Sequence, residues 1–132
     1  MHERLYQFFF SLSSFSIDQI IPSAGQGIIA LQCRDDDDEI IKVLEKINHK
    51  DTYRRAHIER NILKVLEGDC ETAIGAHSNI EGDKITVEAE LFSLDGSQIF
   101  HEKKTGKIDR FKEIGIEVGN ALKIKSNNSY KK

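Results

Sequence analysis

The sequence contains few of the residues on which small proteins build metal sites or disulfide frameworks. It has no tryptophan, one proline, one methionine and two cysteines in 132 residues. The cysteines, Cys33 and Cys70, lie far apart and form no CxxC pair, so we predict neither a zinc site nor a disulfide framework. Reduced thiols in a cytoplasmic protein are the simplest expectation.

Long apolar runs and an excess of basic residues are also missing. No stretch is long enough to span a bilayer, and the net charge is −3. Nucleic-acid binders need a basic surface for phosphate contacts. We therefore expect no membrane and no nucleic-acid partner. Apolar residues at 39% and charged residues at 31% are typical of a soluble globular domain, alone or with a small appendage.

The N-terminal 47 residues divide into an apolar stripe, a turn, a strand and a helix. The stripe needs a covering surface, either in this chain or outside it, and it consists of Leu5, Phe8, Phe9, Leu12 and Phe15. Gly25-Gln26-Gly27 predicts a turn, because it lacks the third glycine or the Gly-Lys-Ser/Thr ending of phosphate loops. We predict a strand over 28–33. A helix follows the acids at 35–39, which favour a helix start, and ends near Asn48.

Residues 48–132 carry the pattern of a complete α+β domain. Asp51 is a good N-cap for a helix that Gly68 can end. Alternating residues then predict strands over 73–80, 84–92 and 97–104. A last helix over 109–123 has an apolar face weakened by two glycines, and a frayed tail follows. The face comprises Phe111, Ile114, Ile116, Val118 and Leu122, and the glycines are Gly115 and Gly119. The predicted fold is a three-stranded antiparallel sheet packed against helices, preceded by the strand and helix of residues 1–47.

Cys70 lies on the predicted loop between the second helix and the first strand of this domain. A thiol displayed there is a candidate covalent attachment point, since sulfur is a soft, strong nucleophile. The alternative is a small buried apolar residue, which is the usual role of a lone cysteine. Arg60, earlier on the same helix, has two readings as well: pairing with ligand carboxylates or pairing with Glu59.

Five separated motifs, in this order, resemble porphobilinogen deaminase, also called hydroxymethylbilane synthase. They are PSAGQG (22–27), ALQCR (30–34), NHKDTYRRAHIER (48–60), LEGDCETAIG (66–75) and DGSQIF (95–100). The resemblance covers about residues 20–124 and implies a position at the C-terminal end of a three-domain enzyme. It implies that residues 1–47 are a remnant of the preceding domains, with 22–47 as the segment that returns to the first domain. Residues 48–132 would then be the complete C-terminal, cofactor-anchoring domain.

The same resemblance implies a role for Cys70 as the thioether anchor of the dipyrromethane cofactor. That cofactor primes the condensation of porphobilinogen into the linear tetrapyrrole hydroxymethylbilane, a transferase reaction of heme biosynthesis. Gly68 and Gln26 are the implied cofactor-binding neighbours. The catalytic aspartate and most carboxylate-binding arginines belong to the first two domains in this family. We therefore expect no catalytic residue here and no activity of the fragment alone.

The resemblance leaves two departures and several alternatives open. The family usually has glycine where this chain has Asp69, and proline where it has Ala73. An acid beside the anchor disfavours a thiolate. A non-catalytic interaction module that retained the fold is one alternative function, and a redox-active thiol protein is another. The full enzyme is expected to be a monomer, whereas the apolar Phe8–Phe10 stripe and residues 22–33 favour self-association of the fragment.

Overall fold

A computed structural model describes residues 15–69 and 71–132. We call residues 15–49 the arm and residues 50–132 the domain. The elements, in chain order, are α1 (Asp38–Ile47), α2 (Lys50–Leu66), β1 (Ile74–Glu81), β2 (Lys84–Phe92), β3 (Ile99–Lys107), a short 3-10 helix (Ile108–Arg110) and α3 (Phe111–Ser126). The strands form one antiparallel sheet in the order β1-β2-β3. The predicted α+β class with a three-stranded antiparallel sheet is confirmed.

The core lies between one face of the sheet and the pair α2 and α3. Alternate side chains of β2 are completely buried, namely Ile85, Val87, Ala89 and Leu91. They meet apolar residues of both helices, including Ile58, Ile62, Val118 and Leu122. The intervening β2 residues face away from the helices, as the period of two predicts. None of the helices in the described part of the chain is long and apolar enough to cross a membrane.

Gly115 and Gly119, the two glycines predicted to weaken the apolar face of this helix, let α3 approach α2 closely. Both glycines are buried. A Cβ atom on Gly119 would lie 2.8 Å from the Cβ of Val65, and one on Gly115 would overlap the carbonyl oxygen of Ile58. The apolar face of α3 is also narrower than predicted, because Ile116 points outward and is 42% exposed.

The ends of α2 differ from the prediction. His49, not Asp51, is the N-cap, and its side chain accepts a hydrogen bond from the amide of Thr52. Asp51 lies in the first turn, where its carboxylate suits the helix dipole. At the other end the left-handed residue is Glu67, with φ of 55°. Gly68 follows it and closes the cap through its own amide.

The arm contains the predicted helix but not the predicted strand. α1 begins after Asp37, whose side chain accepts a hydrogen bond from the amide of Ile40 at 3.2 Å. It ends at Ile47, and Asn48 is its C-cap. Residues 28–33 form no strand, because none of the three strands of the sheet lies beside them to share hydrogen bonds. Ile29 and Leu31 are 89% and 60% exposed, while Ile28 and Cys33 are half-buried. Of the predicted stripe, Leu5, Phe8, Phe9 and Leu12 lie outside the described residues, and Phe15 is 68% exposed.

We expect Gly119→Ala to lower the free energy of unfolding by about 1–3 kcal/mol, because the added methyl group must displace Val65 in a packed interface. An ordinary glycine-to-alanine change within a helix should stabilise instead. Urea denaturation of the full chain measures the difference. The exposed neighbour Asn120→Ala is the matched control and should leave stability unchanged or slightly higher. Stabilisation by Gly119→Ala would contradict the close contact.

Candidate functional site

The candidate site is the loop of residues 67–73, which links the end of α2 to the start of β1. Cys70 itself lies outside the described residues, so its predicted placement is untested. The flanking residues Glu67, Asp69 and Glu71 are all exposed. The loop therefore reaches the surface on both sides of the cysteine.

The end of α2 from which the loop departs is fully capped. The last carbonyls of a helix have no partner within it and need one elsewhere. Gly68 donates its amide to Leu63 at 3.0 Å, and Glu67 donates to Lys64 at 3.2 Å. The remaining two carbonyls are reached from the C-terminal part of the chain. Lys123 Nζ donates to Val65 at 3.3 Å, and the Tyr130 hydroxyl donates to Leu66 at 3.0 Å.

Asp69 orders the loop across the position of the cysteine. Its Oδ1 accepts hydrogen bonds from the amides of Glu71 at 2.9 Å and Thr72 at 3.1 Å. In return the Asp69 amide donates to the Thr72 hydroxyl oxygen at 3.1 Å. The Thr72 hydroxyl also donates to Asp69 Oδ1, at 3.2 Å. The Glu71 amide, followed by the Thr72 hydroxyl, holds the pKa of Asp69 below its ordinary value. The residue that departs from the family pattern thus has a structural role of its own.

Gly68 and Gln26 lie at separate points of the structure. A Cβ atom on Gly68 would lie 3.5 Å from the Thr72 side chain, which is an ordinary contact. The described neighbours therefore do not require glycine there. Gln26 is exposed at the tip of a turn whose glycines, Gly25 and Gly27, have φ of 74° and 76°. That turn is bonded to α2 at Glu59, roughly 12 Å along the helix axis from the loop.

Glu59 joins the arm to the domain, a role that the sequence analysis missed. Its side chain is only 4% exposed. Oε2 accepts a hydrogen bond from the Gly25 amide at 2.8 Å, while Oε1 accepts from the amide and hydroxyl of Ser78 at 3.0 and 2.7 Å. Glu59 is therefore not the partner of the exposed Arg60. The available signal was its helical position beside Ile58 and Ile62, on the buried face.

The arm also protects the free edge of β1. The Ala76 amide, which points away from β2, donates to the Pro22 carbonyl at 2.9 Å, and the Ser78 amide donates to Glu59. At Gly75 the arm comes so close that a Cβ atom would lie 2.6 Å from the Ile21 carbonyl oxygen. Edge strands with free amides invite pairing with other chains. Residues 21–25 together with Glu59 satisfy two of these amides.

Beyond this attachment, the arm leaves an open apolar groove. The groove has a volume of about 510 Å³ and lies between residues 28–33, α1 and α2. Its walls are mainly aliphatic, and Cys33, a free and half-buried cysteine, is one of them. Arg60 stands at its rim. Among residues 15–69 and 71–132, no group of three or more His, Cys, Asp or Glu side chains is arranged to hold a metal ion.

Comparison with known proteins identifies the domain. Residues 53–124 match the family model described as porphobilinogen deaminase, C-terminal domain. The chain belongs to the porphobilinogen deaminase family. The match covers most of α2, all three strands and most of α3, so the resemblance found in the sequence motifs is confirmed.

Curated porphobilinogen deaminases from several bacteria are similar over most of the chain. The protein of Desulforamulus reducens is 36% identical over 102 residues, which are 77% of this chain and 33% of the relative. That of Alkaliphilus metalliredigens is 36% identical over 110 residues, 83% of this chain and 35% of the relative. That of Prochlorococcus marinus strain MIT 9303 is 35% identical over 113 residues, 81% of this chain and 36% of the relative.

Two further facts follow from the lengths of these alignments. The chain spans about a third of the length of the curated relatives it matches. Each alignment is too long to fit between residue 53 and the C-terminus. Part of the arm is therefore shared with porphobilinogen deaminases of full length.

We expect Glu59→Ala to destabilise the chain by about 2–4 kcal/mol, because it leaves buried donors of Gly25 and Ser78 without an acceptor. Glu59→Gln should cost less, since its amide oxygen can still accept from Ser78 while its NH₂ group faces the Gly25 amide. Urea denaturation gives the energies, and amide hydrogen exchange at Gly25 and Ser78 gives the location.

Glu113→Gln, an exposed carboxylate on α3, is the control for the charge change itself. Equal stability and equal exchange in Glu59→Gln and the parent chain would show that the carboxylate does not hold the arm.

We expect Asp69 to make the stability of the chain depend on pH. Its folded-state pKa lies below the ordinary value of 3.8, so its contribution is present above that value and is lost as the pH falls through the folded pKa. In Asp69→Asn this part of the acid destabilisation should disappear, as measured by urea midpoints between about pH 6 and pH 2. Thr72→Val removes one donor and should move the carboxyl pKa, followed by NMR, back toward 3.8. An unmoved pKa would contradict the loop geometry.

Proposed function

We propose that this chain is the C-terminal third of a porphobilinogen deaminase, in which Cys70 anchors the dipyrromethane cofactor through a thioether. The observation that carries the proposal is the loop of residues 67–73. It joins the capped end of α2 to β1 inside the family-matched region, and it reaches the surface on both sides of Cys70. The whole enzyme would be a transferase of heme biosynthesis that condenses porphobilinogen into hydroxymethylbilane.

The residues around the loop fit a covalently attached, acidic pyrrole chain. Exposure of Glu67 and Glu71 leaves room above the loop, while the Asp69 carboxylate is turned toward loop amides. Lys123, Lys131 and Lys132 supply positive charge at the same end of the domain. When bound, the cofactor supplies the primer to which successive porphobilinogen units are joined.

In this proposal the protein fixes the backbone where the loop begins and leaves the Cys70 side chain free to carry the cofactor. The capped end of α2 fixes where the loop begins, and Asp69 fixes the turn across the cysteine. Gly68, for which the described neighbours give no packing reason, is proposed to let the backbone approach the cofactor. Gln26 is proposed as a more distant cofactor contact from the arm.

The arm supports the rest of the proposal, namely that residues 1–47 belong to the preceding domains and 48–132 to the anchoring domain. α1 has no buried residue, and large apolar side chains of the arm stay exposed, including Ile29, Leu31, Val43 and Ile47. Such a surface needs a cover. We propose that residues 22–47 return from the second domain and pack on the first.

Several consequences of this assignment stay predictions. The catalytic aspartate and the arginines that bind substrate carboxylates would lie in the other two thirds, so the chain by itself should be inactive. The assembled enzyme would be a cytoplasmic monomer that takes porphobilinogen as substrate. The exposed arm also favours self-association of the chain when it is alone.

A non-catalytic interaction module is the second candidate function. Asp69 favours it, because an acid replaces the usual glycine beside the anchor. Under this reading the fold and the apolar arm are retained to bind a partner, and no cofactor is attached. The two candidate functions predict different masses of the chain after exposure to porphobilinogen within a complete enzyme: the anchor role predicts an added cofactor, and the interaction module does not.

We expect a chimera to carry the cofactor and form hydroxymethylbilane. In it, residues 20–132 replace the matching C-terminal segment of the Desulforamulus reducens enzyme. Intact mass under denaturing conditions should show the added dipyrromethane, because a thioether survives unfolding. Cys70→Ser should abolish the increment and Cys33→Ser should retain it.

The departures from the family pattern serve as internal controls of the same experiment. If Asp69 hinders attachment, Asp69→Gly should increase the loaded fraction. A folded chimera that stays unloaded with both Asp69 and Asp69→Gly would favour the interaction module and contradict the anchor role of Cys70.

A further inference from the structure

The C-terminal tail, residues 127–132, is packed against the domain, so the predicted frayed end is wrong. Tyr130 is only 5% exposed, and its hydroxyl donates to the Leu66 carbonyl at 3.0 Å. Burial raises the pKa of this hydroxyl, so it remains a donor at neutral pH. The backbone is held as well, since the Leu94 amide donates to the Ser129 carbonyl at 2.9 Å.

This packing brings the last two lysines to the loop that carries Cys70. Lys131 forms an ion pair with Glu67, and Lys132 forms one with Glu71. The two acids stand on either side of Cys70 in the sequence. Lys123 of α3 approaches Glu67 as well, at 3.7 Å. Lys131, followed by Lys123, holds the pKa of Glu67 below its ordinary value.

The tail supplies two of the three lysines that pair with acids of this loop. Glu67, Asp69 and Glu71 give the loop three negative charges within five residues. Unopposed, these charges would repel an incoming ligand that carries carboxylates. Lys123, Lys131 and Lys132 oppose them.

We propose that residues 129–132 form a strap that positions the loop of residues 67–73, with Tyr130 as its fastening and Lys131 and Lys132 as positioning residues that neutralise the loop for an acidic ligand. The proposed purpose of the strap rests on the anchor role of Cys70, whereas the contacts that form the strap do not depend on it. The ligand class is a polycarboxylate. When it binds, Lys131 and Lys132 leave Glu67 and Glu71 and pair with the carboxylates of the ligand instead.

Tyr130 and the two lysines act through different kinds of interaction, a buried hydrogen bond and surface ion pairs. A buried hydroxyl that holds an otherwise unpaired carbonyl has a large effect when removed. Ion pairs at the surface contribute little to stability, and salt screens them. Removal of the Tyr130 hydroxyl should therefore loosen the loop, whereas reversal of the lysine charges should change its electrostatic potential without unfolding it.

The charge effect is measured on the full chain in a Cys33→Ser background, where Cys70 is the single thiol. Alkylation rates are taken with anionic iodoacetate and neutral iodoacetamide at low ionic strength. In the double variant Lys131→Glu, Lys132→Glu, the ratio of the iodoacetate rate to the iodoacetamide rate should fall by about threefold or more, and the fall should shrink in high salt. Lys42→Glu, Lys46→Glu on the exposed side of α1 is the control with the same change of net charge and should leave the ratio unchanged.

The effect of the Tyr130 hydrogen bond is measured by amide hydrogen exchange in residues 67–73. Tyr130→Phe should speed exchange there by about 2- to 10-fold, the equivalent of one lost hydrogen bond. Tyr53→Phe, which alters an exposed tyrosine, should not. Unchanged exchange in Tyr130→Phe together with an unchanged alkylation ratio in the lysine variant would overturn the strap.

Cofactor loading in the chimera separates this proposal from the anchor role. The strap predicts that the double lysine variant loads more slowly than the parent chimera. If the parent loads and the variant loads equally fast, the positioning role of the lysines fails while the anchor stands. If the parent never loads but exchange and alkylation change as expected, the anchor role fails while the strap stands. No reaction of Cys70 with either alkylating reagent also contradicts the anchor, and the exchange measurement then decides the strap.

Discussion

One buried carboxylate connects the two parts of this protein. Glu59 stands on the core-facing side of α2, and it accepts hydrogen bonds from Gly25 of the arm and from Ser78 of β1. Burial of a carboxylate is costly unless hydrogen bonds replace its water. Both oxygens are used here, so the arm, α2 and the sheet edge have a defined relative position.

The candidate site depends on a second set of contacts, at the other end of the same helix. There the last carbonyls of α2 are satisfied by Gly68, Glu67, Lys123 and Tyr130. Two of these partners come from α3 and the tail, so the loop that bears Cys70 is supported by the end of the chain. The arm and the tail thus fasten the same helix at its middle and at its end. This arrangement suits the anchor role that we propose for Cys70.

Membership of the porphobilinogen deaminase family fits the apolar surface of the arm, which the rest of the described chain leaves uncovered. The chain spans about a third of the curated relatives, and the arm they share with it exposes aliphatic side chains along residues 28–47. A helix without a single buried residue is stable only with a partner surface. This exposure supports our proposal that the arm packs on a preceding domain, whereas residues 50–132 have a core of their own.

The sequence alone determined the three strands of the sheet, the order of helices and sheet, and the family. Alternation in Lys84–Phe92 and the glycine turns beside it are local signals, and the motifs around Cys70 are specific. Contacts between distant residues decided the rest. Residues 28–33 have the composition of a strand but find no partner strand, while Gly115 and Gly119 serve a helix contact that only the packed structure contains. Likewise the place of Glu59 on the core-facing side of α2 can be read from the helical spacing, but its amide partners and the carbonyl that Tyr130 reaches cannot. A hydrogen bond between segments far apart in sequence leaves no periodic pattern, so only the tertiary structure could reveal it.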